Sequence, residues 1–180
     1  VNRSFIYVGR YIPKKGINHL IEAYQQYRAE VKDPWDLICA GKGRMGDKLN
    51  HGEGIRNIGF VQPDELPGLF ANAGFFVLPS LEEPWGVVIH EAVSAGLPII
   101  ATSTCGATTA FLRDRFNGYL IEPGNTEHLL AKMIVAHRLA DLEYNKMSDR
   151  SYELSKQMTP ERWANTFVNG VAEFKNQSKR

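Results

Sequence analysis

Short apolar runs alternate regularly with longer segments of helical periodicity along this chain, and this alternation limits the folds that it can adopt. The runs are rich in β-branched or aromatic residues and are bounded by Gly, Pro or Asp, as expected of strands. They occupy residues 4–8, 36–40, 55–60, 75–78, 98–101 and 118–121. Since the runs are nearly continuous rather than alternating, both faces of each strand must be covered, which favours a parallel sheet with helices on both sides.

The intervening segments carry apolar residues at helical spacing. The clearest stripe consists of Ile17, Leu20, Ile21, Tyr24 and Tyr27. Further helices are predicted over residues 64–73 and 87–95, and after residue 121 the pattern is purely helical, over 126–139, 143–156 and 160–174, followed by a polar tail at 175–180. The predicted fold class is therefore α/β: a Rossmann-like, three-layer αβα domain with a mainly parallel sheet of about six strands and extra C-terminal helices.

Composition narrows the class of function. The chain has 180 residues, 43% hydrophobic and 23% charged, which fits one globular domain. Its net charge of +1 indicates no nucleic-acid surface. No apolar run approaches the roughly 18 residues of a membrane span.

The chain opens into a strand without an initiator Met, so we expect a piece of a longer protein. Cys39, Cys105 and the five histidines show no ligand spacing, so no metal site is predicted and reduced thiols in the cytosol are expected.

The loop after the first strand, residues 9–16, concentrates positive charge before a helix. Arg10, Lys14 and Lys15 would lie close to a helix N-terminus, and all three suit phosphate oxygens. A solvated basic turn is the alternative. After the second strand, Gly41 and Gly43 would allow close approach of a ligand, although by themselves they are better explained by a simple turn.

The loop after the fourth strand is the most specific. Glu83 lies in the loop, Gly86 permits close approach at a helix start, and Glu91 follows inside the helix, roughly 7 Å further along its axis. That distance suits phosphates at the helix tip and a ribose beside the helix, where a carboxylate accepts hydrogen bonds from vicinal hydroxyls. The alternative is an ordinary helix with an acidic start and an exposed Glu91.

Several motifs together resemble the group 1 (family 4) glycosyltransferases. The segment from Glu83 to Glu91 is similar to the glutamate pair of that family, which is separated by seven residues. Residues 91–98, 9–16 and 118–125 also stand where the family shows close variants. Residues 103–109 depart from the pattern, because many members carry Gly-Gly-x-x-Glu there, and this puts an acidic contact from that loop in doubt.

The resemblance implies a GT-B enzyme, built of two Rossmann-like domains around a cleft. Residues 1–180 would form the C-terminal, donor-binding domain, with residues 160–180 as its closing helix and tail, and the N-terminal acceptor domain would be absent. Glu83, Arg10 and Lys15 would be the catalytic residues. The nucleotide-sugar-binding residues implied by the resemblance are Gly9, Arg10, Lys15, Gly41, Gly43, Val61, Glu83, Trp85, Gly86, Val87 and Glu91.

The expected reaction is transfer of a sugar from a nucleotide-diphosphate-sugar to an acceptor hydroxyl with retention of anomeric configuration. It would need no metal or other cofactor, and the fragment alone is expected to be inactive. The expected partners are the donor, the missing domain in cis, and an acceptor glycan or lipid-linked sugar, with no nucleic acid. The pathway would be polysaccharide or glycoconjugate biosynthesis in the cytoplasm, with peripheral association at the inner face of the membrane.

Three alternatives remain at this stage. A non-catalytic module that senses a nucleotide sugar would not need the sugar-end carboxylate Glu83. An unrelated doubly wound domain would leave the basic loop unexplained. A glycosidase that uses the two glutamates as acid and nucleophile is disfavoured, because Glu91 lies well along a helix.

Overall fold

A computed structural model of the chain describes residues 3–159, 164–165 and 168–169. These residues contain a single six-stranded sheet in which every pairing is parallel. The strands are β1 (Phe5–Val8), β2 (Leu37–Ala40), β3 (Ile55–Gly59), β4 (Phe75–Leu78), β5 (Ile99–Thr102) and β6 (Gly118–Ile121). Each of the six predicted strands is confirmed to within about one residue at either end.

Seven α-helices alternate with the strands or follow them in the described part of the chain. They are α1 (Ile17–Glu30), α2 (Gly46–Leu49), α3 (Leu66–Ala71), α4 (Val87–Ser94), α5 (Thr108–Phe111), α6 (Thr126–His137) and α7 (Asp141–Ser155). The α/β class is confirmed, including helices after β6. Helices α2 and α5 were not predicted, since four residues are too few to establish a helical period. The predicted closing helix, 160–174, and the tail, 175–180, lie outside the described residues except at 164–165 and 168–169.

The core lies on both faces of the sheet. Every residue of β4 and β5 is buried, whereas β3, at the edge, alternates between half-buried and exposed positions. Helix α1 packs against α6, and α4 packs against α7. Because parallel crossovers are right-handed, the connections running from β1 towards β3 and from β4 towards β6 place their helices on opposite faces. The result is the predicted three-layer arrangement.

The strand order decides where a ligand can bind. It runs β3-β2-β1-β4-β5-β6, so the chain leaves β1 in one direction and returns to β4 on the other side of it. The loops after β1 and β4 therefore diverge at their carboxyl ends and open a crevice between them. These are the two loops in which the sequence places Arg10, Lys15 and Glu83.

Candidate functional site

The loop after β1 lies tightly against the end of β4. Pro13–Lys15 form a 3-10 turn with Pro at its first position, and Gly16 follows with φ of 70°, in the left-handed region. A Cβ at Gly16 would lie 1.9 Å from the carbonyl oxygen of Pro79. Only glycine therefore allows this approach, which brings the basic turn onto the loop after β4.

The loop after β4 ends at the N-terminus of α4. Gly86, with φ of 91°, is the residue preceding the helix, and Val87 is the first helical residue. The first turn of an α-helix has N–H groups without intrahelical partners and a partial positive charge. Such a helix end has the properties that suit an anion.

Two ion pairs join consecutive residues of the loop after β1 to consecutive residues of the loop after β4. Lys15 is paired with Glu83, and the neighbouring Lys14 with Glu82. The amide of Leu81 also donates a hydrogen bond to the carbonyl of Lys14, at 2.8 Å. The inner pair is nearly buried, with side-chain exposures of 14% for Lys15 and 12% for Glu83, whereas both partners of the outer pair are 66% exposed.

An open cavity of about 540 Å³ lies between these loops. Burial lowers the pKa of Lys15 below its ordinary value, and the charge of Arg10 acts in the same direction. Three cationic groups, two carboxylates and two hydroxyls thus border one space. The lining residues are Arg10, Ile12, Lys14, Lys15, Leu81, Glu82, Glu83, Pro84, Ser103, Thr104 and Gly106.

A second cavity, of about 280 Å³, shares Arg10 with the first and is largely apolar. It lies beside the loops after β2 and β3, with Phe60 under the ammonium of Lys42 at 5.2 Å from the ring centroid. It is lined by Val8, Gly9, Arg10, Ala40, Gly41, Lys42, Phe60, Val61, Pro63 and Leu66.

Glu91 lies beside a third cavity, of about 400 Å³, between α3 and α4. His90 and Ser94 of α4 line the same cavity, and Pro63 and Leu66 connect it with the second. The three cavities thus form one run through the residues they share, from Glu83 past Arg10 to Glu91.

The fold therefore brings most of the predicted site residues into this run. Arg10, Lys15 and Glu83 border the first cavity, and Gly9, Gly41 and Val61 border the second. Four of the predicted residues do not line these cavities: Gly43, Trp85, Gly86 and Val87. Gly43 packs against the backbone of Tyr11, while Trp85 and Val87 are exposed, at 40% and 61%.

The backbone of Arg10 is fixed while its side chain is free to reach a ligand. The buried Tyr7 hydroxyl donates to the carbonyl oxygen of Arg10 at 2.9 Å, and the Gly9 amide donates to Ala40 at 3.0 Å. The Arg10 residue itself is exposed. A preorganised loop that presents a solvated guanidinium suits the capture of an anion.

Sequence reasoning left the contribution of the loop after β5 in doubt and did not predict the ion pair between Lys14 and Glu82. Ser103, Thr104 and Gly106 line the first cavity although this loop lacks the acidic residue of the family pattern. The Gly106 amide donates to the carbonyl of Glu83 at 3.3 Å, and a Cβ at Gly106 would lie 2.4 Å from the carbonyl oxygen of Pro84. The glycine at this position was the one sequence signal that this loop approaches the site.

Two negative observations apply to the described residues. Within residues 3–159 and the four described positions beyond them, no three His, Cys, Asp or Glu side chains form a group able to hold a metal ion. Across the same residues, no helix has both the length and the apolar character needed to cross a membrane.

Known glycosyltransferases are similar to this chain in sequence. An uncharacterised glycosyltransferase of Methanocaldococcus jannaschii is 33% identical over 136 residues, 71% of this chain and 34% of the relative. The O-antigen chain mannosyltransferase B of Escherichia coli is 37% identical over 106 residues, 54% of this chain and 28% of the relative. The chain thus spans about a third of the length of each.

The fold is also similar to that of a solved glycosyltransferase domain. The catalytic domain of cholesterol-alpha-glucosyltransferase from Helicobacter pylori superposes with a TM-score of 0.76 at 25% identity, and the match covers 88% of this chain and all of that domain. The family model for glycosyl transferases group 1 matches residues 2–153, which include all six strands and every predicted site residue. This chain therefore belongs to the group 1 glycosyl transferases.

Proposed function

We propose that this chain binds the nucleotide-diphosphate-sugar donor of a GT-B glycosyltransferase and forms the donor half of its active site. The observation that carries the proposal is the convergence of Arg10, Lys15 and Glu83 on one cavity at the N-terminus of α4. Two cationic side chains and a helix N-terminus suit a diphosphate, and a carboxylate beside them suits a hydroxylated sugar.

The run of cavities gives the donor a direction. The diphosphate lies at Arg10 and Lys15, because Arg10 borders both the charged and the apolar cavity. The sugar extends towards Glu83. The nucleoside extends the other way, with its base against Val61 and the Gly41 turn and its ribose hydroxyls on Glu91.

In the proposed reaction, the bond between the anomeric carbon and the diphosphate oxygen breaks and the acceptor oxygen bonds to that carbon, losing its proton. The charge that develops on the leaving diphosphate is stabilised by Arg10, Lys15 and the N–H groups of α4, so the transfer needs no metal. We assign retention of configuration on the family resemblance. The acceptor and the remaining catalytic groups belong to the second GT-B domain, so the present chain alone is inactive.

The biological setting is proposed from the relatives. The O-antigen mannosyltransferase is named for the assembly of a surface polysaccharide, which supports a role in polysaccharide or other glycoconjugate biosynthesis. We place this assembly in the cytoplasm, at the inner face of the membrane, with a glycan or a lipid-linked sugar as the acceptor.

A titration tests the donor site. The chain would be titrated with UDP, GDP, ADP and dTDP, without added metal, and followed by NMR shift mapping, which detects weak binding. We expect one diphosphate to bind, with shifts at residues 9–16 and 86–91, and to bind about tenfold or more weakly to Arg10→Ala and Glu91→Ala.

The matched control is Arg56→Ala, which removes an exposed arginine from the edge strand β3 and should leave affinity unchanged. Absence of binding by every diphosphate would overturn a preformed donor site in this chain.

Transfer assays on the full-length protein with Glu83→Ala separate an enzyme from a non-catalytic sensor, because only an enzyme loses transfer while it retains diphosphate binding.

A further inference from the structure

The outer ion pair, Lys14 with Glu82, borders the same cavity as the inner pair but has no part in the proposed function so far. The neighbouring Lys15 and Glu83 point inwards and are nearly buried, whereas Lys14 and Glu82 are each 66% exposed. The cavity therefore has an inner end, formed by Lys15 and Glu83 beside Arg10, and a more exposed outer end, formed by Lys14 and Glu82.

The outer end lies on the sugar side of the proposed diphosphate position. Arg10 joins this cavity to the apolar one, which takes the nucleoside. A donor whose diphosphate lies at Arg10 must place its sugar in the remaining space, which Glu82, Glu83, Ser103 and Thr104 border. Two carboxylates and two hydroxyls fit a polyhydroxylated ring better than a second anion or an apolar group.

Glu82 is held in place yet keeps the capacity to bind. Its amide donates to the carbonyl of Lys14 at 3.3 Å, and the Lys14 ammonium donates to one carboxylate oxygen. A carboxylate offers about four lone-pair sites, so most of its acceptor capacity remains for ligand hydroxyls. The hydroxyl of Thr104 donates to the carbonyl of Ser80 at 2.9 Å, which fixes the facing loop in the same way.

We propose that Glu82, oriented by Lys14, is a specificity-determining residue that accepts hydrogen bonds from hydroxyls of the donor sugar. This inference rests on the proposed function, because it requires the diphosphate to lie at Arg10. Glu82 contacts the sugar directly, and Lys14 acts as a positioning residue. The assigned ligand class is the hexose part of a nucleotide-diphosphate-sugar.

The test compares each nucleotide with its sugar conjugate. The tightest diphosphate of the titration and its conjugate (UDP-glucose, GDP-mannose, ADP-glucose or dTDP-glucose) would be titrated into the wild-type chain, Glu82→Ala and Lys14→Met. We expect Glu82→Ala to weaken binding of the conjugate by about tenfold, since hydrogen bonds to a charged group are lost. Lys14→Met should weaken it by less, and binding of the diphosphate itself should change less than about twofold in both variants.

The control is Glu153→Ala, which removes an equally exposed carboxylate from an ion pair on α7, away from the cavity. A merely structural clamp between the two loops would lower the affinity for diphosphate and conjugate equally and would make the two variants alike. That result, or unchanged binding of the conjugate to Glu82→Ala, overturns the inference and leaves the donor site standing. Absence of diphosphate binding to the wild-type chain overturns both.

Discussion

Lys15 and Glu83 lie 68 positions apart in the sequence and form an ion pair between the loops after β1 and β4, with side-chain exposures of only 14% and 12%. The pair joins the group proposed to hold the diphosphate to the group proposed to hold the sugar. In the free protein each charged group therefore has the other as its partner. Binding of the proposed donor would replace this contact with contacts to the ligand.

The first prediction concerns stability. Lys15→Met or Glu83→Gln should each lower the free energy of unfolding by about 1–3 kcal/mol, because each leaves a nearly buried charge without its partner. The double variant should lose less than the sum of the two, since no charge then remains unpaired. Urea unfolding of the four proteins measures the cycle, and additive losses would contradict a stabilising contact.

The second prediction concerns the close approach at Gly16. A Cβ there would collide with the carbonyl of Pro79 in a left-handed backbone conformation, so Gly16→Ala should destabilise the protein by more than about 2 kcal/mol. Gly68, inside α3, has open space around its Cβ position. Gly68→Ala is therefore the matched control and should stabilise by about 0.5–1 kcal/mol. Thermal unfolding of both variants checks this, and equal effects would be inconsistent with the packing.

The third prediction concerns pH. Burial lowers the pKa of His137 below its ordinary value of 6.5. The Trp35 amide donates to the Tyr27 oxygen at 2.9 Å, which leaves the Tyr27 proton for Nδ1 of His137 at 2.7 Å and favours the neutral ring. Since the unfolded chain binds the proton more readily, the contribution of His137 to stability is present above pH 6.5 and is lost as pH falls towards the folded-state pKa.

Urea midpoints measured from pH 8 to pH 5 test this linkage. The wild-type midpoint should fall more steeply than that of His137→Gln, which cannot titrate at this position. Parallel profiles would mean that other groups cause the acid sensitivity.

The fourth prediction concerns the cysteines. Both are free and buried, and burial raises the pKa of Cys39 to about 12 and that of Cys105 above its ordinary value. Thiolates are the reactive species, so both should resist a chromogenic disulfide reagent at pH 8 in the native protein and react fully in denaturant. Cys105 should react first as stability is lowered, because a hydrogen bond with Thr102 and the charge of Lys15 partly offset the effect of burial on its pKa. The Cys39→Ala variant, which leaves only Cys105, resolves the order, and rapid reaction in the native state would refute the burial.

The local pattern of residues was sufficient to predict most strands and helices of the fold. The strands from Phe5–Val8 to Gly118–Ile121 could be predicted because an apolar run bounded by turn residues depends only on neighbours in the chain. The spacing from Glu83 to Glu91 likewise placed one carboxylate in a loop and the other on a helix. Helices α2 and α5 were missed because each is a single turn held by surrounding loops rather than by its own periodicity.

The α/β class, the strand positions and the loops with charged and glycine residues could all be predicted from local pattern. The contacts between loops could not: Lys15 pairs with Glu83 and Lys14 with Glu82, Ser103 and Thr104 line the same cavity, and Glu91 borders a different one. The physical reason is the pairing of β4 beside β1, across more than 60 intervening residues. Backbone hydrogen bonds between distant strands create that neighbourhood, and no periodicity along the chain encodes it.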